Sequence, residues 1–200
     1  MKKVSKAAVI FLGLVTVLNY LPIILTVVYS FNKSKLTSVW EGFSLDWYKM
    51  LFNDGDIKKA LLNSIILAVL TCMLSLVIGV SAALAMRGKK LIFDDFISGF
   101  ASLPIMIPEI ILGMVFMAIF SYMNLPFGFV TMTIAHSSFC VPYIFLIVRA
   151  RLMGMDLSLE EAARDLGASE FETFRDVTLP YILPGIASGL LLSFAMSFDD

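Results

Sequence analysis

The chain has 200 residues, of which 59% are hydrophobic and only 16% charged, and its mean hydropathy is +0.90. A water-soluble domain carries roughly 45–50% apolar and about 25% charged residues, so this composition excludes an ordinary soluble enzyme or binding module and points to lipid as the solvent. Fifteen basic and 16 acidic side chains leave a net charge of −1, which gives no electrostatic footprint for a nucleic-acid partner.

Ala7 to Phe31 follows Lys2, Lys3 and Lys6 and is itself uncharged. It is too long for a signal-peptide core and no small-x-small cleavage site follows it, so it predicts a first transmembrane helix over 7–31. The next stretch, 32–59, is polar and contains "VWEGFSLDWY". Trp40, Trp47 and Tyr48 there read either as an interfacial belt or as a docking surface for an external partner. Residues 60–86 form a second uncharged run, ended by "RGKK". A third, 97–122, is interrupted by Pro104, Pro108 and Glu109, which predicts a broken helix. A fourth covers 127–148 and is closed by Arg149 and Arg151, and a fifth covers 179–200 and is still apolar close to the last residue. Each has the roughly 20 residues that a crossing needs. Cys72 and Cys140 lie inside apolar runs without metal-ligand spacing and read as small buried hydrophobes.

Orientation follows from lysine and arginine. With the N-terminus in the cytoplasm, the inner segments hold Lys2, Lys3, Lys6, Arg87, Lys89, Lys90, Arg149, Arg151, Arg164 and Arg175. The outer ones hold Lys33, Lys35, Lys49, Lys58 and Lys59. This bias puts 32–59 and 122–127 outside and 149–178 inside.

Inside that last segment lies a charged island, "SLEEAARDLGASEFETFRDVTLP", residues 158–180. Ser158 with Glu161, and Ser169 with Glu172, have the spacing of capping boxes. Gly167 stands where a left-handed residue would end the first of two short helices, and Pro180 suits the start of the next membrane helix. Leu159, Ala162, Ala163 and Leu166 share one stripe, and Glu160, Arg164 and Asp165 face elsewhere. Such a pair of helices could lie on its own membrane domain or present the shallow alanine stripe to another protein.

Glu109 is costly in a bilayer. It reads either as a carboxylate lining a cation path or as a charge held by the amides of a half-helix beginning at Pro108. Asp199 and Asp200 are expected near the outer boundary, about twenty residues of helix rise from Tyr181. His136 is expected to be a hydrogen-bonded packing residue. No nucleophile–base pair, metal cluster or phosphate loop occurs, so ATP would have to be hydrolysed by another chain. An intramembrane enzyme or sensor using Glu109, His136 and the aspartate pair would need them at one depth, and their predicted depths differ.

The island resembles the signature of ABC-importer permeases, E-A-A-x3-G-x9-I-x-L-P, with Val177 in the isoleucine place. The resemblance implies an all-α integral membrane protein of MetI-like fold, with an N-terminal helix and external loop (1–59), a type-1 permease domain (60–200) and one further span after residue 200. It makes 156–178 a coupling segment that docks on an ATPase through Glu161, Ala162, Ala163 and Gly167. "WEGFSLDWYKMLFNDGDI", "LPIMIPEI", "HSSFCVPY" and "SFAMSFDD" are similar to the PotC type of spermidine/putrescine permease, which usually has Asp in place of Glu109. That similarity implies a bacterial inner-membrane subunit working with two copies of an ATP-binding subunit, a second homologous permease subunit and an external polyamine-binding protein. ATP and Mg would be bound by the ATPase, and this chain would hold no cofactor. A cation path through Glu109, Asp199 and Asp200 goes with this reading. Permeases for iron, thiamine or phosphonate share the island and are the alternative.

Overall fold

The computed structural model describes residues 5–36, 39–87 and 94–199. Asp200, Lys2, Lys3, Lys89 and Lys90, all used in the sequence reading, lie outside the described residues. The chain divides into two units, Met1–Ala60 and Leu61–Asp200.

In the first unit, α1 (Lys6–Tyr29) starts at Ser5, whose hydroxyl accepts the Ala8 amide at 3.2 Å. None of its residues is buried within the chain, as expected of a helix apolar all round its circumference. Its polar side chains are satisfied locally. Thr16, Asn19 and Thr26 donate to the carbonyls four residues back at 2.8–2.9 Å, which removes their cost in hydrocarbon. Beyond it the loop is organised by Asn32, which is 1% exposed. Its amide donates to the Val39 carbonyl at 2.6 Å, its side-chain oxygen accepts from the Glu41 amide at 2.9 Å, and its carbonyl accepts the Trp47 indole N–H at 2.9 Å. Tyr48 hydrogen-bonds Ser30 at 2.7 Å and stacks on Phe31. Trp47 and Tyr48 therefore hold the loop together, a role in addition to either reading of the aromatic cluster; Trp40 is half exposed and meets Tyr29 edge to face. A short helix, α2 (Asp46–Asn53), follows.

Next comes α3 (Gly55–Ala85), five residues earlier than the apolar run indicates. The start is set by Asp54, whose carboxylate accepts the amides of Asp56 and Ile57 at 2.9 and 3.1 Å, a capping signal that hydropathy does not register. The third run is two helices, α4 (Asp94–Met106) and α5 (Glu109–Tyr122). Their axes meet at 101°. The break falls at Ile107–Pro108, while Pro104 is absorbed inside α4. The fourth, α6 (Phe129–Met153), runs past Arg149 and Arg151. After the island, α9 (Leu179–Asp199) is the apolar part of a continuous 30-residue helical stretch beginning at Glu170. Among the described residues four helices are thus long and apolar enough to cross a membrane, with the bent pair as a further candidate. Among the described residues the only β pairing is an isolated bridge between Asn32 and Phe43.

Packing in the second unit centres on α6. Lipid provides no hydrophobic drive between helices, so close approach through small residues must do the work. Buried Thr71, Ser75, Gly79 and Ala83 recur every four residues on α3, and buried Gly185, Gly189, Ser193 and Ser197 do so on α9. Both stripes press on Ile144, which is fully buried. A Cβ placed on Gly79 would lie 3.0 Å from Ile144 Cγ2, and one on Gly189 would lie 3.3 Å from Ile144 Cα. Phe145, Val148, Leu152, Ile182 and Ile186 continue this core toward the island. Cys72 and Cys140 are buried and unbridged, with their sulfurs 3.7 and 3.6 Å from the Leu190 and Ser193 carbonyls of α9.

Because the Gly189 contact is with backbone, overfilling it should be poorly relieved. We expect Gly189→Leu to lower the unfolding free energy in mixed micelles by about 1–3 kcal/mol. Gly113→Leu, where an added Cβ meets nothing within 4 Å, should leave stability unchanged or raised; equal effects at the two sites would refute this packing scheme.

The candidate coupling segment and the membrane carboxylates

The island folds as α7 (Ser158–Asp165), a glycine turn, α8 (Glu170–Thr173) and a π-helical turn, Phe174–Thr178, leading into α9. Its first end differs from expectation. Leu157 occupies the N-cap of α7 without a side-chain bond, and no Ser158–Glu161 capping box forms. Asp156 takes over: its carboxylate accepts the Ser158 amide at 3.0 Å, which leaves Ser158 inside the first turn. That amide bond, followed by one from the Ser158 hydroxyl, holds the Asp156 carboxyl below its ordinary range. At the other end Gly167 has φ +91°. Its amide bonds the Arg164 carbonyl at 2.9 Å and the Ala168 amide bonds the Ala163 carbonyl at 3.1 Å, the paired closure that ends a helix on a left-handed residue. The second capping box is present, with the Ser169 amide donating to Glu172 at 2.8 Å and the Glu172 amide to the Ser169 hydroxyl at 3.3 Å.

Pro180 sits within the continuous helix rather than opening a new one. Having no N–H, and crowding the carbonyl four residues back, it disturbs an ordinary α turn at this point. Here the chain widens: the Leu179 amide reaches back five residues to the Phe174 carbonyl. Such single π turns absorb local mismatch in otherwise regular helices.

The faces of α7 are sorted in an unusual way. Leu159 is 49% and Leu166 90% exposed, Glu161 and Ala162 are exposed, and Ala163 is half-buried. Glu160 is turned inward. Its carboxylate forms an ion pair with Arg87, just beyond α3, and accepts the Thr178 hydroxyl from the π turn. Arg87 also donates to the Thr178 hydroxyl at 3.1 Å. Sequence reading missed this cluster because neighbouring Glu160 and Glu161 look alike, and only the partners on distant segments separate them.

The membrane carboxylates occupy separate elements. Glu109 is the first residue of α5, exposed, at the 101° break. It therefore sits at a half-helix N-terminus, and residue counts along 97–122 do not convert to a depth. Asp199 is exposed at the end of α9. His136 bonds the Ser197 hydroxyl at 2.9 Å and lies against Phe139, as a packing histidine should. Among the described residues no group of three metal-ligating side chains occurs.

This arrangement is a bundle of apolar helices carrying an exposed, partly apolar helix on a charged segment. Residues 75–200, from the middle of α3 to the end of α9, match the family described as binding-protein-dependent transport system inner membrane component. The chain belongs to this family. It is 37% identical over 181 residues to the spermidine/putrescine transport system permease protein PotC of Haemophilus influenzae, covering 90% of this chain and 70% of that protein. It is 35% identical to PotC of Escherichia coli K12 over 90% of this chain and 69% of that one. The putrescine transport system permease protein PotI of the same strain is 35% identical over 90% of this chain and 67% of its own length. The chain is accordingly a permease subunit of an ABC importer, an inner-membrane component that depends on a binding protein and an ATPase, and is not itself an enzyme.

The cap assignment is directly testable in this permease. Asp156→Ala should speed amide hydrogen exchange at Leu159–Glu161 by about threefold or more, the scale of losing a helix cap, while Ser158→Ala leaves those amides near their original rates. The reverse order would restore the Ser158 box.

Proposed function

We propose that the chain forms part of the translocation path for polyamines, spermidine or putrescine, and receives ATP-driven motion through the exposed face of α7. The observation that carries the coupling part is the inversion of α7: Leu159 and Leu166 face outward while Glu160 is half-buried against Arg87 and Thr178 of the chain itself. An exposed stripe broken by alanine lets another chain's backbone come close, and Glu161, Ala162 and Ala163 together with the Gly167 turn supply the contact. The substrate is proposed from the relatives, whose names specify spermidine and putrescine. The working complex would contain two copies of an ATP-binding subunit carrying ATP and Mg, a second permease subunit and an external polyamine-binding protein. The N-terminus would be cytoplasmic.

Polyamines are extended polycations, so their path needs carboxylates at several heights. Glu109 at the helix break and Asp199 at the end of α9 are the described candidates, with Asp200 next to the latter. Attraction of this kind is strongest where solvent and salt screen least.

In reconstituted complexes, Glu109→Gln and Asp199→Asn should each slow polyamine uptake by about tenfold, equivalent to an interaction of ~1.4 kcal/mol, with complex yield unchanged. Uptake at the unmodified rate would remove both residues from the path, and loss of assembly in Glu109→Gln would make that carboxylate a helix-end support instead.

The orientation is checked separately. Ser169→Cys should resist an impermeant thiol reagent applied to intact cells and react in inverted vesicles; labelling from outside would reverse the proposed topology.

A further inference from the structure

Three segments distant in sequence converge on one oxygen. Glu160 Oε1 accepts from Arg87 Nη1 and from the Thr178 hydroxyl. Arg87 follows the end of α3, Glu160 is the third residue of α7, and Thr178 closes the π turn that opens into α9. Arg87 Nη2 also lies 3.3 Å from Met155 Sδ, in the turn before α7. The Arg87 and Glu160 side chains are 13% and 15% exposed and Thr178 is 1% exposed.

We propose that Arg87, Glu160 and Thr178 are positioning residues for energy coupling, a clasp that makes α7, the end of α3 and the base of the Glu170–Asp199 helix move as one body. The inference rests on α7 being the ATPase contact. An eight-residue helix does not hold its shape or attitude by itself. α7 is flanked by turns at Gly154–Asp156 and Gly167–Ser169, so it is jointed at both ends. A push on its exposed face would pivot an untethered helix and leave the membrane helices still. The clasp supplies the missing tether, and it does so through Glu160, a residue outside the exposed leucine stripe. Because a single carboxylate oxygen serves both donors, losing it frees α3 and the π turn together. Losing the Thr178 hydroxyl releases the π turn from both Glu160 and Arg87 but leaves the ion pair, so α7 stays tied to the end of α3.

Stability and positioning can be separated chemically. Removing one member of a buried ion pair strands a charge, whereas replacing both by apolar side chains of similar size avoids that penalty. The test therefore uses the double variant Arg87→Met with Glu160→Met in the full complex, reconstituted in liposomes, with yield, ATP hydrolysis and uptake measured together. The double variant should assemble in normal yield and hydrolyse ATP, with uptake per ATP reduced about tenfold, and Thr178→Val should reduce that ratio about threefold, within the range by which coupling networks respond to single changes. An unmodified ratio in the double variant overturns the clasp. Failure of the double variant to assemble also overturns it, because the pair would then serve folding alone. The underlying contact is tested in the otherwise unmodified chain by cross-linking Leu166→Cys to the ATPase subunit. Absence of that cross-link refutes α7 as the contact, an outcome distinct from an intact transport ratio in the methionine variant.

Discussion

The close approach of three helices at Ile144 is the constraint on which the rest of the second unit depends. In lipid, two apolar helices gain little by burying leucine against leucine, since hydrocarbon already surrounds them. What remains is dispersion, which falls steeply with distance. Gly79 and Gly189 remove the side chains that would keep α3 and α9 away from α6, and the Ile144 side chain occupies the space between them. Serine and threonine continue both stripes at four-residue spacing, so the contact is extended along the helices.

From that contact the geometry of the island follows. The core running through Ala83, Val148, Leu152 and Ile182 continues to the end of α3 and the base of α9. Arg87 and Thr178 emerge there within hydrogen-bonding distance. Two donors presented side by side create a demand for an acceptor, and a half-buried arginine without one is costly. Glu160 answers that demand, and in doing so fixes which face of α7 is inside. Leu159 and Leu166 are left exposed beside it.

Much of this was legible in the sequence, and the parts that were not share a cause. Apolar runs located the membrane helices because hydropathy sums over many residues. Gly167, Ser169 and Glu172 were readable because a left-handed turn and a capping box are settled within a few residues. Pro108 gave away the helix break. What failed were choices between local alternatives decided from a distance or by a stronger neighbour. Asp156 displaced Ser158 as the cap, Asp54 drew the start of α3 ahead of its apolar run, and Pro180 was absorbed by a π turn instead of opening a helix. The 101° angle between α4 and α5 was equally out of reach, for a proline marks where a helix ends and says nothing about where the next one points. Glu160 was unreadable for the plainest reason: its partners lie 73 and 18 residues away.

The π turn and the clasp are best understood together. A continuous helix from Glu170 to Asp199 is a stiff rod, and Pro180 alone would weaken it where stiffness matters for carrying displacement. Widening the turn at Phe174–Thr178 keeps the rod intact by giving Leu179 a carbonyl partner one residue further back. The same turn carries Thr178, whose hydroxyl joins the Glu160 carboxylate. The residue that would otherwise mark a break thus sits next to the point where the rod is tied to α7. On the proposed reading, motion delivered to the exposed face of α7 enters α9 at the tie, two residues before the proline, and enters α3 through Arg87. Both of those helices press their small-residue stripes on α6, so a displacement shared between them shifts the packing at Ile144 from two sides at once. A core built on close backbone contact has few intermediate arrangements, which makes it suited to switching between discrete states rather than yielding gradually.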